Sequence, residues 1–220
     1  MTTLILYSQT QILNQMKKLL LCITLFICIM CAPPKKSSEI IETLRDSETK
    51  KGIKKDTVFL GFTFGMSEKQ VNEKFMQLLS ENKIISNSDH TYGYNMQIDW
   101  PVKIKTTFTP EYLNDSLYSF SLNMDGESGS QAEAGLIQIS VVSLYSQKYS
   151  YNNQLRVPSM YDKEKIDYVF IFGNQQININ YPSLTTAVRV QYFDYKMQAR
   201  KYLMDYDAQK KIEEKTIKDL

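Results

Sequence analysis

The sequence predicts an α+β fold: two units, each a helix followed by an antiparallel sheet, drawing on separate sheets or one shared sheet, with a C-terminal helical tail. Three observations predict it. Ser67–Leu79 carries a helix-start signal followed by apolar residues at helical spacing. Between Tyr92 and Tyr192, runs of residues alternate apolar and polar with the period of two that a half-buried strand requires. The order of signals, a helix and then three strands, begins near Ser67 and again near Ser130, about sixty residues apart. The two stretches do not align in sequence, so the repeat is one of architecture.

Taken in order, residues 1–31 read as an export signal. Lys17 and Lys18 precede an uncharged apolar run, Leu19–Met30, of signal-peptide length. A helix of about a dozen residues spans roughly 18 Å, too short for a hydrocarbon core of about 30 Å. Met1–Gln15 fits no part of a signal, and a start at Met16 would give the usual Met-Lys-Lys-apolar opening. The run ends at Cys31, before Ala32-Pro33-Pro34-Lys35-Lys36, and resembles a lipobox. The resemblance implies cleavage before Cys31 and attachment of acyl chains such as palmitate to it. Lipoboxes favour Leu three residues earlier and a small residue immediately before; Cys28 and Met30 stand there. Cleavage near Ala32 as an ordinary secretory signal is the alternative.

All three cysteines (Cys22, Cys28 and Cys31) lie in this segment, so the domain beyond it has no disulfide, thiolate metal site or cysteine nucleophile. The charge divides in the same way. Lys17 and Lys18 are the only charges up to Cys31, and residues 32–220 carry 24 basic against 24 acidic residues. A balanced domain gives no support to nucleic-acid binding or to electrostatic membrane attachment.

Residues 32–57 are polar and predict a tether, with at most one helical turn around Ile40, Ile41 and Leu44. The α+β domain spans 58–195, with its units meeting near 125–130. Val58–Phe64 reads as a short apolar strand punctuated by Gly61. Ser67 and Gln70 form a capping box, Met66 can staple onto Val71, and Val71, Phe75, Leu78 and Leu79 share one helical face. Strands follow at Tyr92–Trp100, Val102–Phe108 and Tyr118–Met124, with Pro110 and Asn114-Asp115 supplying a turn. Gln131–Tyr149 reads as a helix, its face set by Ala134, Ile137, Val141, Leu144 and Lys148. Strands resume at Ile166–Phe172, Ile177–Tyr181 and Val188–Tyr192, with a hairpin at Gly173-Asn174. Residues 196–220 form a charged helix with a solvated face.

The string FLGFTFGMSEKQVNEKF, with the later VKIKTTF, LYSFSLNM, IFGNQQININY and VRVQYFDYKMQARKY, resembles small exported lipoproteins of Gram-negative bacteria, many of them uncharacterised. The architecture is similar to the beta-lactamase inhibitor protein fold, with its concave binding face, and to small lipoproteins of the outer-membrane assembly machinery. The resemblance implies a periplasm-facing lipoprotein at the outer membrane, or a soluble periplasmic or secreted protein. It carries over no binding or catalytic residue.

Catalytic signatures are sparse. The only histidine, His90, sits beside Asp89 in a polar loop, which makes no metal site by sequence. Gly126-Glu127-Ser128-Gly129-Ser130 lacks the second glycine of a nucleophile elbow. No cofactor or metal is expected. The tyrosine-rich first sheet offers Tyr92, Tyr94, Trp100 and Tyr118 as candidate ligand contacts, because aromatics with polar tips suit interfaces. The expected function is a non-catalytic binding module with a protein or envelope-polymer partner and a lipid anchor at Cys31. A structural part of an envelope assembly is second, and a hydrolase with paired carboxylates is third.

Overall fold

The computed structural model describes residues 36–87, 91–96, 104–149, 154–159, 165–180 and 186–219. In chain order the elements are α1 (Ser37–Lys50), α2 (Glu68–Ser80), β1 (Ile85–Ser86), β2 (Tyr92–Met96), β3 (Ile104–Leu113), β4 (Ser116–Gly126), α3 (Gln131–Tyr149), β5 (Gln154–Pro158), β6 (Ile166–Phe172), β7 (Gln175–Asn180), β8 (Val188–Asp194) and α4 (Tyr195–Asp219). The eight strands make one antiparallel sheet in the order β1-β2-β3-β4-β8-β7-β6-β5. Each half is thus a helix followed by a four-stranded meander, and the last strands of the halves, β4 and β8, pair at the seam. The compact unit that carries the sheet begins at Ile40.

Both halves open on a capped helix. Ser67 accepts from the Gln70 backbone N–H while the Gln70 side chain returns to the Ser67 N–H, closing the expected capping box. Ser130 repeats half of the device, accepting from the Glu133 backbone N–H, while the Glu133 carboxylate accepts from Ser128 instead. Both helices lie on one face of the sheet. From α2, Val71, Phe75 and Leu78 are buried, and Phe75 stacks within a cluster of Phe62, Phe108, Phe120 and Tyr92. From α3, Ala134, Ile137, Val141, Val142 and Tyr145 are buried against the same core as Phe170, Ile177, Ile179, Val190 and Tyr192. The face of α3 is rotated from the one expected: Leu144 is exposed, and Gln138 turns inward to donate to the Ile166 and Ile179 carbonyls.

Several expectations need correction. Val58–Phe64 is a tight reversal closed by a Thr57–Thr63 bridge and by Val58 N–H donating to the Phe62 carbonyl. Leu60 and Gly61 both adopt positive φ, which no strand tolerates, and the reversal lets Val58, Phe62 and Phe64 all point into the core. Within residues 32–57, Ser37–Lys50 is a full helix, well beyond the one expected turn. Its Ile41 and Leu44 pack on the second face of the sheet against Val157, Val169, Ile171, Phe193 and Tyr195.

Pro110 lies inside β3, opposite Phe120, and the turn uses only Asn114 and Asp115, both at positive φ. Proline is tolerated there because β2 pairs only with Ile104–Thr107, so at Pro110 β3 needs no donor on that side. Strands β1 and β5 were not expected from sequence. Gln154–Pro158 alternates only through Leu155 and Val157 and ends on a proline, too short a signal to predict a strand, and pairing with β6 holds it extended.

Candidate functional site

The helix-covered face is a packed core; on the opposite face, beyond the apolar patch on β5 and β6 that α1 covers, the side chains of β7, β8, β4 and β3 are mostly amides and hydroxyls. Antiparallel register sets these side chains in rows across β7, β8, β4 and β3. Asn180, Arg189, Asn123 and Thr107 lie opposite one another in one row. Asn178, Gln191, Ser121 and Thr109 form the next. Adjacent strands are about 4.8 Å apart and alternate residues about 6.8 Å along a strand. The two rows therefore cover a patch of about 14 Å by 7 Å.

Hydrogen bonds knit the rows together. Arg189 Nε donates to Asn123 Oδ1 at 3.1 Å, and Asn123 Nδ2 donates to Thr109 Oγ1 at 3.2 Å. Gln191 Nε2 donates to Ser119 Oγ at 3.1 Å. On β7, Gln176 Nε2 donates to Asn178 Oδ1 at 2.8 Å, and Arg45 Nε of α1 donates to Gln176 Oε1 at 2.9 Å. Asn178, Arg189, Gln191 and Asn123 each remain partly exposed. Asn180 differs. It is 9% exposed, and its Oδ1 has no hydrogen-bond partner. A buried amide oxygen left without a donor costs about 1–3 kcal/mol.

Helices α1 and α4 border this face. Asp194 caps α4, accepting from the Lys196 and Met197 N–H groups at 2.9 and 3.0 Å, and it receives Asn174 Nδ2 at 2.7 Å. The Tyr195 hydroxyl donates to the Gly173 carbonyl at 2.7 Å and meets Thr49 Oγ1 at 2.6 Å, joining α1 to the β6–β7 hairpin. Glu48, buried on α1, accepts from the Gly173 N–H and pairs with Lys51. Between the helices runs a groove of roughly 430 Å3 lined by Arg45, Tyr195, Gln198, Ala199, Tyr202 and Leu203. Beyond Lys201, α4 is exposed as far as its side chains are described, and Tyr202, Leu203, Tyr206 and Ile212 are open to solvent.

The aromatic candidates lie elsewhere. Tyr92 stacks on Phe75, and Tyr94 meets Phe59 edge-on, so both are half-buried on the helix-covered face. Tyr118 is buried and donates to Glu111 Oε2 at 2.8 Å; burial, then that hydrogen bond, pushes its phenol well above the ordinary value. Burial also pushes Tyr112 up to about 12, with smaller contributions from the charges of Glu68 and Asp115. Trp100, His90, Asp89 and Cys31 lie outside the described residues. Among the described candidates, Tyr92, Tyr94 and Tyr118 do not form one exposed patch.

The serines of the Glu127–Ser130 loop have structural duties. Ser128 Oγ and the Ser128 N–H both donate to Glu133 Oε2, at 2.6 and 2.9 Å, and the hydroxyl contact is the main cause of a lowered Glu133 pKa. Among the described residues no cluster of His, Cys, Asp and Glu could hold a metal ion, and no helix is long and apolar enough to cross a membrane. Apolar alternation marks the core face of a strand, and the amide rows lie on the other face. The signal was present in QININ and VRVQ, where the residues between the apolar ones are amides and arginine. No protein-family model, curated protein or solved structure matches the chain.

Proposed function

We propose that this chain is an exported lipoprotein, anchored to the outer membrane through acylated Cys31, that binds a partner without catalysis on the polar face of its sheet. The observation that carries this reading is the double row Asn180–Arg189–Asn123–Thr107 and Asn178–Gln191–Ser121–Thr109, centred on the seam between the two halves and at least partly exposed at every position but Asn180 and Ser121. A sheet face whose only task is solubility is usually rich in charged residues, which hydrate strongly. Amides and hydroxyls that offer both donors and acceptors suit recognition instead. The anchor rests on the apolar run ending at Cys31.

Two measurements test the two parts. The wild-type chain should take up a fatty-acid analogue in a bacterial host and Cys31→Ala should not; equal labelling removes Cys31 as the lipid site, and no labelling of either ends the lipoprotein reading. With the anchor removed, Cys31→Ala should still cosediment with envelope fragments, and the same protein carrying Arg189→Glu, folded by circular dichroism, should lose most of that binding. Unchanged cosedimentation of Arg189→Glu would remove the sheet face from the proposal.

A second reading, a brace within an envelope assembly, is favoured by α4. Its exposed Tyr202, Leu203, Tyr206 and Ile212 suit a protein partner. Crosslinking from Tyr206 to an outer-membrane protein, retained in Arg189→Glu, would favour this reading over the first.

A further inference from the structure

We infer that the ligand of the polar sheet face is a neutral, hydroxyl-rich glycan chain. The inference rests on the binding-face reading above and adds the ligand's chemistry. Three properties of the rows select it. The face presents few apolar groups to a ligand: within the double row every side chain is an amide, a hydroxyl or the Arg189 guanidinium, so an acyl chain or apolar peptide would strand these groups unpaired. Charge is scarce as well. Arg189 is the one ionised group among the eight side chains, and its Nε is already engaged by Asn123, so a polyanion would find too few cations.

What remains is a ligand that both donates and accepts at short intervals without charge. Amide side chains offer an acceptor oxygen and a two-proton donor, and hydroxyls offer both functions, which sugar hydroxyls can match. Asn180 supplies the independent observation. Its side chain is more than nine-tenths buried, yet Oδ1 lacks a donor, and the register sets it beside Arg189 at the end of a row. Oδ1 is closed to solvent in this side-chain rotamer, and a turn of the Asn180 side chain toward a sugar hydroxyl would satisfy that atom. Asn178, Gln191 and Asn123 would then contact successive hydroxyls along the patch.

The test is titration of the full-length chain with neutral tetrasaccharides of N-acetylglucosamine and of glucose, followed by the side-chain amide signals in NMR. A sulfated oligosaccharide and an uncharged extended peptide serve as comparators. At least one neutral saccharide should shift the Asn178, Asn180 and Gln191 amide signals, with an affinity that added salt leaves unchanged. Asn178→Asp keeps the acceptor for Gln176 and removes the donor, and it should weaken binding by about tenfold. Gln191→Ala, a second variant on a neighbouring strand, should weaken it similarly. The inference is overturned if no neutral saccharide shifts these signals, if only the sulfated chain or the peptide does, or if both variants bind as the wild type. If Arg189→Glu loses envelope binding while no saccharide binds the wild type, the glycan assignment fails and the binding face stands. If Arg189→Glu keeps envelope binding, the face itself is wrong.

Discussion

Asp194 shows how much structure one side chain can organise. It ends β8, caps α4 through two backbone N–H groups, and anchors Asn174 in the β6–β7 turn. Replacing it with alanine should destabilise the fold by about 1–2 kcal/mol in chemical denaturation, the usual cost of a lost cap. A change within a few tenths would mean that water replaces the carboxylate there. Ser128 and Glu133 give a second test at this scale. The Ser128 hydroxyl holds the Glu133 carboxylate ionised to lower pH than usual. A depressed folded value means that the stabilisation is present above the ordinary carboxylate range and is lost as pH falls through the folded value. Ser128→Ala should therefore return the Glu133 titration, followed by its carboxyl carbon in NMR, toward the ordinary range. An unmoved titration would show that the backbone N–H groups alone set it.

At the level of elements, α1 is the informative case. Its sequence, SSEIIETLRDSETK, is largely polar, and its apolar residues are too few to predict a helix. The helix is held by what the sequence cannot display, a tertiary surface formed by β6, β5 and the start of α4. Ile41 and Leu44 are only partly buried, so Leu44→Ala should cost about 1 kcal/mol. Hydrogen exchange should quicken over α1 while the sheet keeps its protection; loss of protection in β7 and β8 as well would show that α1 is integral to the core. By contrast α2 and α3 were legible because their caps and apolar faces are local signals at fixed spacing. The Gly173-Asn174 and Asn114-Asp115 turns were legible for the same reason, since positive φ restricts residue choice. Val58–Phe64 misled because an apolar run alone does not report the direction of the chain. For the candidate site, strand alternation disclosed which residues face outward, but only the pairing of β4 with β8 brings Asn123 beside Arg189, sixty-six positions apart.

For the whole molecule, the seam makes one structure of two similar halves. Met124, Leu122 and Phe120 of β4 lie opposite Val188, Val190 and Tyr192 of β8, and all six are buried. Neither meander can separate without exposing both rows, so the halves should unfold together. Buried and half-buried tyrosines on both sides offer a probe. Tyr112 and Tyr118 belong to the first half, while Tyr145, Tyr149 and Tyr192 belong to the second, and burial raises all five phenols. The Tyr145 and Tyr192 hydroxyls also share a buried hydrogen bond. A phenol raised on folding favours the folded state below its unfolded value of about 10, and that contribution is lost as pH rises toward the folded value. For Tyr112 the window runs from about 10 to about 12. An alkaline titration followed by tyrosinate absorbance and far-ultraviolet circular dichroism should therefore show these tyrosines ionising late. They should ionise in one step that coincides with loss of strand signal. Two resolved steps, one for each half, would show that the β4–β8 seam does not couple them.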